Sequence, residues 1–315
     1  MSWSPQQEAA IKLVRAWLAN PKAPQVFRLF GFAGTGKTTL AKEMAQGVKG
    51  NVVYACFTGK AALVLRKKGC HGATTIHSLI YQPIEDEETG ITEFILNADS
   101  GAADAALIII DEVSMVDEKL AKDLLSFGTR VLVLGDPAQL PPVKGEGYFI
   151  NADPDVMLTE VHRQAANNPI IRLSMDVREG RRLHPGDYGA ARVLLRRGVD
   201  KEELGEILLQ QDDAGNGVHF QIVDAYNQRM LHLHNRVGLA APHHPVAGDR
   251  LVCLKNNRER GLLNGGLWEV TTVGKPECDL VHFAAKSLDD TILPHIKTKT
   301  PENFFLGTEK QLDWR

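Results

Sequence analysis

No apolar run in the 315-residue sequence approaches the length of a membrane-spanning helix. The opening MSWSPQQEAA has neither the basic start nor the apolar stretch and small-residue cleavage site of a secretory signal, so the chain is expected in the cytoplasm and not at a membrane. Cysteine is scarce: Cys56, Cys70, Cys253 and Cys278 lie far apart without CxxC spacing, which argues against a zinc ribbon and against a disulfide framework. There is no internal repeat, no low-complexity tract and no excess of either charge. Lysine and arginine number 36 against 39 aspartates and glutamates, a formal charge of -3. Bulk charge therefore does not advertise nucleic acid, but a narrow basic groove would not show in such a total, and nucleic acid stays open as a partner. What remains is ordinary globular composition, 43% hydrophobic and 24% charged, in a chain long enough for one large domain or two smaller ones.

Ser4 as N-cap, Pro5 at N1 and Gln7 at N3 mark a helix start, continued by Ile11, Val14 and Trp17 or Leu18 at helical spacing. The loop Asn20-Pro21-Lys22-Ala23-Pro24 closes it. Val26 to Phe30 then reads as a buried strand entering a glycine-rich turn, followed by a helix from Thr38 to about Val48. The alternation continues with strand Val52 to Phe57, helix Lys60 to Lys68 closed by Gly69, strand Leu107 to Ile110, helix Glu118 to Phe127 and strand Val131 to Leu134. Apolar strands alternating with helices specify an α/β fold, a parallel sheet with helices on both faces. Between Leu79 and Ala105 the rhythm breaks. Ile84 and Ile91 to Leu96 flank an acidic turn, Glu85 to Gly90, which predicts a small hairpin inserted at about 80–105. Further on, helices are expected at Pro169 to Val177, Lys201 to Leu209 and Asn227 to Val237, with a strand at Phe220 to Val223. Strands at Leu251 to Leu254, Trp268 to Val273 and Leu280 to Phe283 follow, with Gly261, Gly265 and Gly266 between the first two.

Gly31-Phe-Ala-Gly34-Thr35-Gly36-Lys37-Thr38 fits the GxxxxGK[ST] phosphate loop and lies between a predicted strand and a predicted helix, the context such a loop requires. The glycines let backbone N–H groups curl around phosphate, the helix N-terminus adds its positive end, and Lys37 reaches the outer phosphates. Thr38 would hold Mg²⁺ through its hydroxyl. Its carboxylate partner is supplied where the strand Leu107 to Ile110 ends in Asp111-Glu112: Asp111 would hold the ion through water, and Glu112 would orient the attacking water as base. Val131 to Leu134 ends in Gly135-Asp136-Pro137-Ala138-Gln139-Leu140-Pro141-Pro142. Parallel strands share their carboxyl edge, so Gln139 can face the same nucleotide, sensing the terminal phosphate or positioning water. The segment also reads simply as a proline-stiffened loop.

GFAGTGKTT, Thr58-Gly59-Lys60-Ala61-Ala62, Thr75-Ile76-His77-Ser78-Leu79, IIIDEVSM, LGDPAQLPPV and Leu158-Thr159-Glu160-Val161-His162-Arg163-Gln164 occur in that order. In this order they resemble superfamily 1 DNA helicases of the RecD-like, 5′-to-3′ type, a group that includes small phage helicases. The match is dense over roughly residues 4 to 173. The resemblance implies a P-loop NTPase with a RecA-like sheet over 1–163, ATP and Mg²⁺ as cofactors, and single-stranded DNA, or DNA with a single-stranded tail, as partner. Gly31, Gly34, Thr35, Gly36, Lys37, Thr38 and Thr39 would form the nucleotide cradle. Gln7 looks like the family's adenine-reading glutamine, and it also fits the N3 residue of a capping box with Ser4, two roles that one residue can combine. Arg163 resembles the arginine finger that stabilises charge on the γ-phosphate. Thr58, Lys60, Thr75 and His77 match motifs that grip single-stranded DNA, although a histidine beside Leu79 is also an ordinary packing residue. The hairpin near Thr89-Gly90 resembles the family's duplex-parting wedge, or is a solvated turn.

Residues 164–315 match more loosely. Asp224 to Arg236 resembles the start of the family's second motor domain, and the stretch at about 248–310 resembles a small β-barrel-like insertion within it. Lys255, with Arg258 and Arg260, would make a phosphate-facing patch or a solvated charge run. Two further family motifs, expected after a segment like Gln311 to Arg315, do not occur, which implies an incomplete second RecA-like lobe and impaired cycling: a truncated helicase, a split one whose missing half another polypeptide supplies, or a remnant. The leading function is thus an ATP-dependent helicase or translocase. A DNA-binding ATP switch without unwinding, and a P-loop phosphotransferase acting on a small molecule, are the competing classes.

Overall fold

The computed structural model describes residues 3–85, 92–139, 142, 146–160, 167–195, 221–223, 228–230, 245–253, 262, 266–274, 280–288 and 295–301. The chain divides into two compact units, Met1–Val193 and Leu194–Arg315.

The first unit is built on six parallel strands: β1 (Val26–Gly31), β2 (Val52–Cys56), β3 (Thr74–Thr75), β6 (Leu107–Asp111), β7 (Val131–Gly135) and β8 (Val156–Leu158). They lie in the order β3-β2-β6-β7-β1-β8. Every residue of β6 and of β7 is buried, as expected of strands with helices on both faces. Successive side chains point to opposite faces, and the core divides accordingly. Leu107, Ile109, Leu132 and Leu134 pack with Ala10, Val14 and Trp17 of α1 (Pro5–Ala19) and Leu40 and Met44 of α2 (Lys37–Ala45). Ile108, Ile110, Val131 and Val133 pack on the other side with Ile76 and Ile80 of α4 (Ile76–Ile80), Leu120 and Leu124 of α5 (Glu118–Leu125) and Phe149. Helix α3 (Gly59–Lys67) covers the edge near β2 through Ala62 and Leu65. Gly69, at φ +84°, follows its last turn, where the sequence placed a stop.

The predicted insertion is an antiparallel hairpin of β4 (Tyr81–Glu85) and β5 (Thr92–Leu96); its tip lies outside the described residues. Helix α6 (Pro169–Arg178) follows β8, and the short pair β9 (Gly186–Asp187) and β10 (Arg192–Val193) ends the unit. Helix α6 lies within the first compact unit, where Arg178 joins it to Asp136 after β7.

In the second unit β11 (Gln221–Val223) pairs antiparallel with β12 (Gln228–Met230). This corrects the helix expected from Asn227 to Val237 over its described residues: Gln228, Arg229 and Met230 are spent on backbone pairing with the neighbouring strand, which fixes them in extended form whatever their helical periodicity, and the rest of that stretch lies outside the described residues. The helix expected at Lys201 to Leu209 lies outside the described residues. The anticipated β-rich stretch is a four-stranded antiparallel meander of β13 (Arg250–Val252), β14 (Leu267–Val273), β15 (Leu280–Ser287) and β16 (His295–Pro301). Trp268, Val270, Phe283 and Ala285 form its core. Among the described residues no helix is long and apolar enough to cross a membrane.

Ile110, fully buried among β2, β7 and α4, is the natural probe of the first unit. Ile110→Ala is expected to cost about 2–5 kcal/mol, the sum of lost transfer energy and a cavity, read as a shift in the urea transition followed by the helical circular dichroism signal.

Candidate active site

Parallel pairing sends the ends of β1, β2, β3, β6, β7 and β8 to one edge, so the loops that leave them meet there. The loop after β1 is pressed against β8. A Cβ on Gly31 would stand 2.8 Å from Leu158 Cβ and 2.9 Å from the Leu158 carbonyl oxygen and from Thr35 Oγ1. Gly34 and Gly36 both have φ +79°, a conformation L side chains resist, and Gly36 caps α2 from it. The Phe32 carbonyl accepts from Thr35 N at 3.3 Å, Thr35 Oγ1 at 2.8 Å and Lys37 Nζ at 3.0 Å. Lys37 Nζ also donates to the Gly31 carbonyl at 2.6 Å. Desolvation pushes the Lys37 ammonium below the usual lysine range and Arg178 adds to this, while Asp136, Asp111 and Glu112 pull the other way.

Thr38, in the first turn of α2, donates its hydroxyl to Asp111 Oδ2 at 2.7 Å. Asp111 is 8% exposed, and its Oδ1 accepts from the Glu112 N–H at 3.0 Å. A hydroxyl and a carboxylate in contact below a phosphate loop are an all-oxygen pair that fits Mg²⁺, a cation that takes one or two protein ligands and fills the rest with phosphate and water. Thr39, one residue on, is exposed.

Glu112 is the one non-glycine residue with positive φ among those described, at φ 57° and ψ 51°. Its carboxyl is pushed above the usual range by desolvation and then by neighbouring Asp111, and held down by a hydrogen bond from Gln139 and by Lys37. Gln139 in turn accepts from Ser114 Oγ at 3.3 Å through Oε1, which leaves its amide N–H groups for Glu112.

Of the two readings of Gln7, the structure bears on the cap. The capping box is formed: Ser4 N donates to Gln7 Oε1 at 3.0 Å and Gln7 N to Ser4 Oγ at 3.4 Å. Gln7 Nε2 meanwhile donates to the Thr35 carbonyl at 3.0 Å, so a 2%-exposed cap residue also tethers the phosphate loop. Thr58 and Thr75 are likewise N-caps. Thr58 Oγ1 accepts from Ala61 N at 3.2 Å, and Thr75 Oγ1 from Ser78 N at 3.1 Å. Lys60 stands in the first turn of α3. His77 is exposed, its ring between Phe57 and Tyr81 with centroids at 6.1 and 5.7 Å. Desolvation lowers its affinity for a proton, against the pull of Asp117. Arg163 and Lys255 lie outside the described residues.

Three residues at this edge escaped sequence reasoning. Gln6 Oε1 accepts from Thr159 N at 2.9 Å and Glu160 N at 3.1 Å. Ser114 sits inside IIIDEVSM without a role suggested by its type, and Arg178 has no motif around it. Only the adjacency of Gln6 to Gln7 gave any signal.

A family model described as an AAA domain matches residues 3–200. The chain is 37% identical over 162 residues to the ATP-dependent RecD2 DNA helicase of Deinococcus radiodurans, an alignment covering 48% of this chain and 21% of that protein. It is 36% identical over 167 residues to the ATP-dependent DNA helicase dda of Enterobacteria phage T4, covering 48% of this chain and 37% of that one. The matched region thus takes in well under half of either relative. A crystal structure of Bacteroides Pif1 bound to ssDNA aligns over 94% of this chain and 74% of its own, with 19% identity and a TM-score of 0.49.

A carboxyl raised on folding binds protons more tightly in the folded than in the unfolded chain, so stability falls as pH rises from the ordinary carboxylate value through the raised one. Glu112→Gln removes that loss. Its urea midpoint is expected to exceed the parent's near about pH 7 and to converge on it near about pH 4.

Proposed function

This chain belongs to the AAA domain family, and on that footing we propose that it is an ATP-driven motor of the superfamily 1, RecD-like type, coupling hydrolysis of magnesium ATP to 5′-to-3′ movement along single-stranded DNA. The carrying observation is the convergence of Lys37, the Thr38–Asp111 pair and the Glu112–Gln139 pair at one strand edge. In this reading the backbone N–H groups of the loop and the start of α2 bind the β- and γ-phosphates, and Lys37 exchanges the Gly31 and Phe32 carbonyls for phosphate oxygens. Thr38 and Asp111 would hold Mg²⁺, which when bound supplies charge neutralisation of the polyphosphate. Glu112 accepts a proton from the attacking water at its carboxylate, and the Gln139 amide keeps that carboxylate ionised and aimed. Arg163 takes the charge developing on the γ-phosphate.

Gln7 reads the adenine in the same proposal, and its bond to the Thr35 carbonyl makes base recognition felt in the loop. Thr58, Lys60, Thr75 and His77 face single-stranded DNA: capped helix starts offer N–H groups to phosphates, and the Phe57–His77–Tyr81 array offers ring faces to bases. Lys255 adds a phosphate contact. The similarity to two ATP-dependent DNA helicases supports the motor reading.

ATP hydrolysis by the full chain, with and without single-stranded DNA, tests this. DNA-stimulated turnover is expected, reduced by about 100-fold or more in Lys37→Ala, the scale of losing a group that stabilises transition-state charge. Binding of ATP and DNA without stimulated turnover means a nucleotide-controlled DNA-binding switch instead. The acid limb of the rate profile is expected above the ordinary carboxylate range, since Glu112 must be ionised to act and activity falls as pH drops through its raised pKa.

A further inference from the structure

Arg178, the last residue of α6, donates Nη1 to Asp136 Oδ1 at 2.7 Å and Nη2 to Asp136 Oδ2, a two-point fork. Its guanidinium also lies over the Phe32 ring, 4.3 Å from the centroid. The two side chains are 20% and 3% exposed. Each contact reaches a different part of the phosphate site. Phe32 is the residue whose carbonyl gathers Thr35 and Lys37. Asp136 shapes the turn that carries Gln139: its Oδ1 accepts from Ala138 N at 3.1 Å and its carbonyl from Gln139 N at 3.0 Å. One guanidinium thus touches the loop that places Lys37 and the loop that places Gln139.

A buried ion pair is poor value as a stabiliser, because an apolar pair of similar volume packs without the desolvation cost. Here that cost is increased: Arg178 Nε is buried and meets no acceptor among the described residues. Arginine is also the one side chain that offers a carboxylate fork and a flat face to a ring together. There is an electrostatic reason to keep it. Asp136 is nearly inaccessible to water and attracts Lys37. Without Arg178, the Asp136 carboxylate is left to draw on Lys37, the lysine that the phosphates require.

We propose that Arg178 is a positioning residue of the phosphate site: it neutralises Asp136 so that Lys37 stays available to the nucleotide, and it locks the Phe32 loop to the Gln139 loop. The kinetic part rests on the reading of this site as an ATP-hydrolysing one. The test uses the full chain, measuring steady-state ATP turnover with single-stranded DNA and amide hydrogen exchange of residues 31–39 and 135–139 without nucleotide. Arg178→Gln is expected to lower kcat by about 10- to 100-fold, the scale of an ångström-sized misplacement, with a smaller change in KM and faster exchange in both loops. Asp136→Asn added to Arg178→Gln removes the stranded carboxylate, and is expected to recover most of the turnover and part of the protection in residues 31–39. A residue that merely docks α6 gives no such rescue.

Unchanged turnover and unchanged exchange in Arg178→Gln overturn the proposal. So does faster exchange confined to α6, or a double variant no better than the single one. If the parent hydrolyses no more ATP than Lys37→Ala, the motor reading fails separately, and the exchange pattern with its rescue decides the role of Arg178. If Arg178→Gln does not fold, Arg178→Lys carries the same measurement: it keeps the charge and loses fork and ring contact, so the loops loosen relative to each other while Lys37 is spared.

Discussion

Parallel strand pairing is the constraint on which everything else in the first unit rests. An antiparallel sheet alternates its loops between two edges, whereas β1, β2, β3, β6, β7 and β8 release the chain at the same edge. Residues from Gln7 to Arg178 can therefore meet in one small volume although the sequence spreads them over more than half the chain. The pairing is secured by burial on both faces. Ile108 and Ile110 look one way, Leu107 and Ile109 the other, and neither set reaches water. The rigid sheet lets the edge carry strained and charged groups that a softer scaffold would relax.

The long apolar strands, the phosphate loop between β1 and α2, the hairpin and the capping box were legible because each is written in contiguous residues. Ser4-Pro5-Gln6-Gln7 and GFAGTGKT need no distant partner to be read. The short strands β3 and β8 were not legible, since two or three residues carry no periodicity and owe their form to the sheet they join. Gln228 to Met230, read as part of a helix, are extended for the same reason, being claimed by β11. In the site, Lys37, Thr38, Asp111, Glu112 and Gln139 were found by motif. Arg178 was not, because its meaning lies in Asp136, 42 residues away, and in the ring of Phe32.

Helix caps and site residues overlap throughout this edge. Gln7 closes a capping box and holds the Thr35 carbonyl, and Thr58 and Thr75 cap α3 and α4 at the places proposed to face DNA. Economy of this kind follows from the topology. Helices α2, α3 and α4 each begin within a few residues of a strand end, and α1 starts beside the loop after β1 through Gln7, so the groups that satisfy their first N–H donors stand beside any ligand that gathers at the strand ends.

Glu112 holds its backbone at φ 57°, a conformation that glycine adopts freely and asparagine with little penalty, and that a glutamate keeps at a cost. In a lineage freed from the need to turn over nucleotide, mutation at this codon would drift toward the relaxed residues, since they gain stability with nothing to lose. A carboxylate retained there is thus a fossil gauge: the identity of residue 112 across descendants of this fold separates those still under selection for turnover from those kept for shape alone.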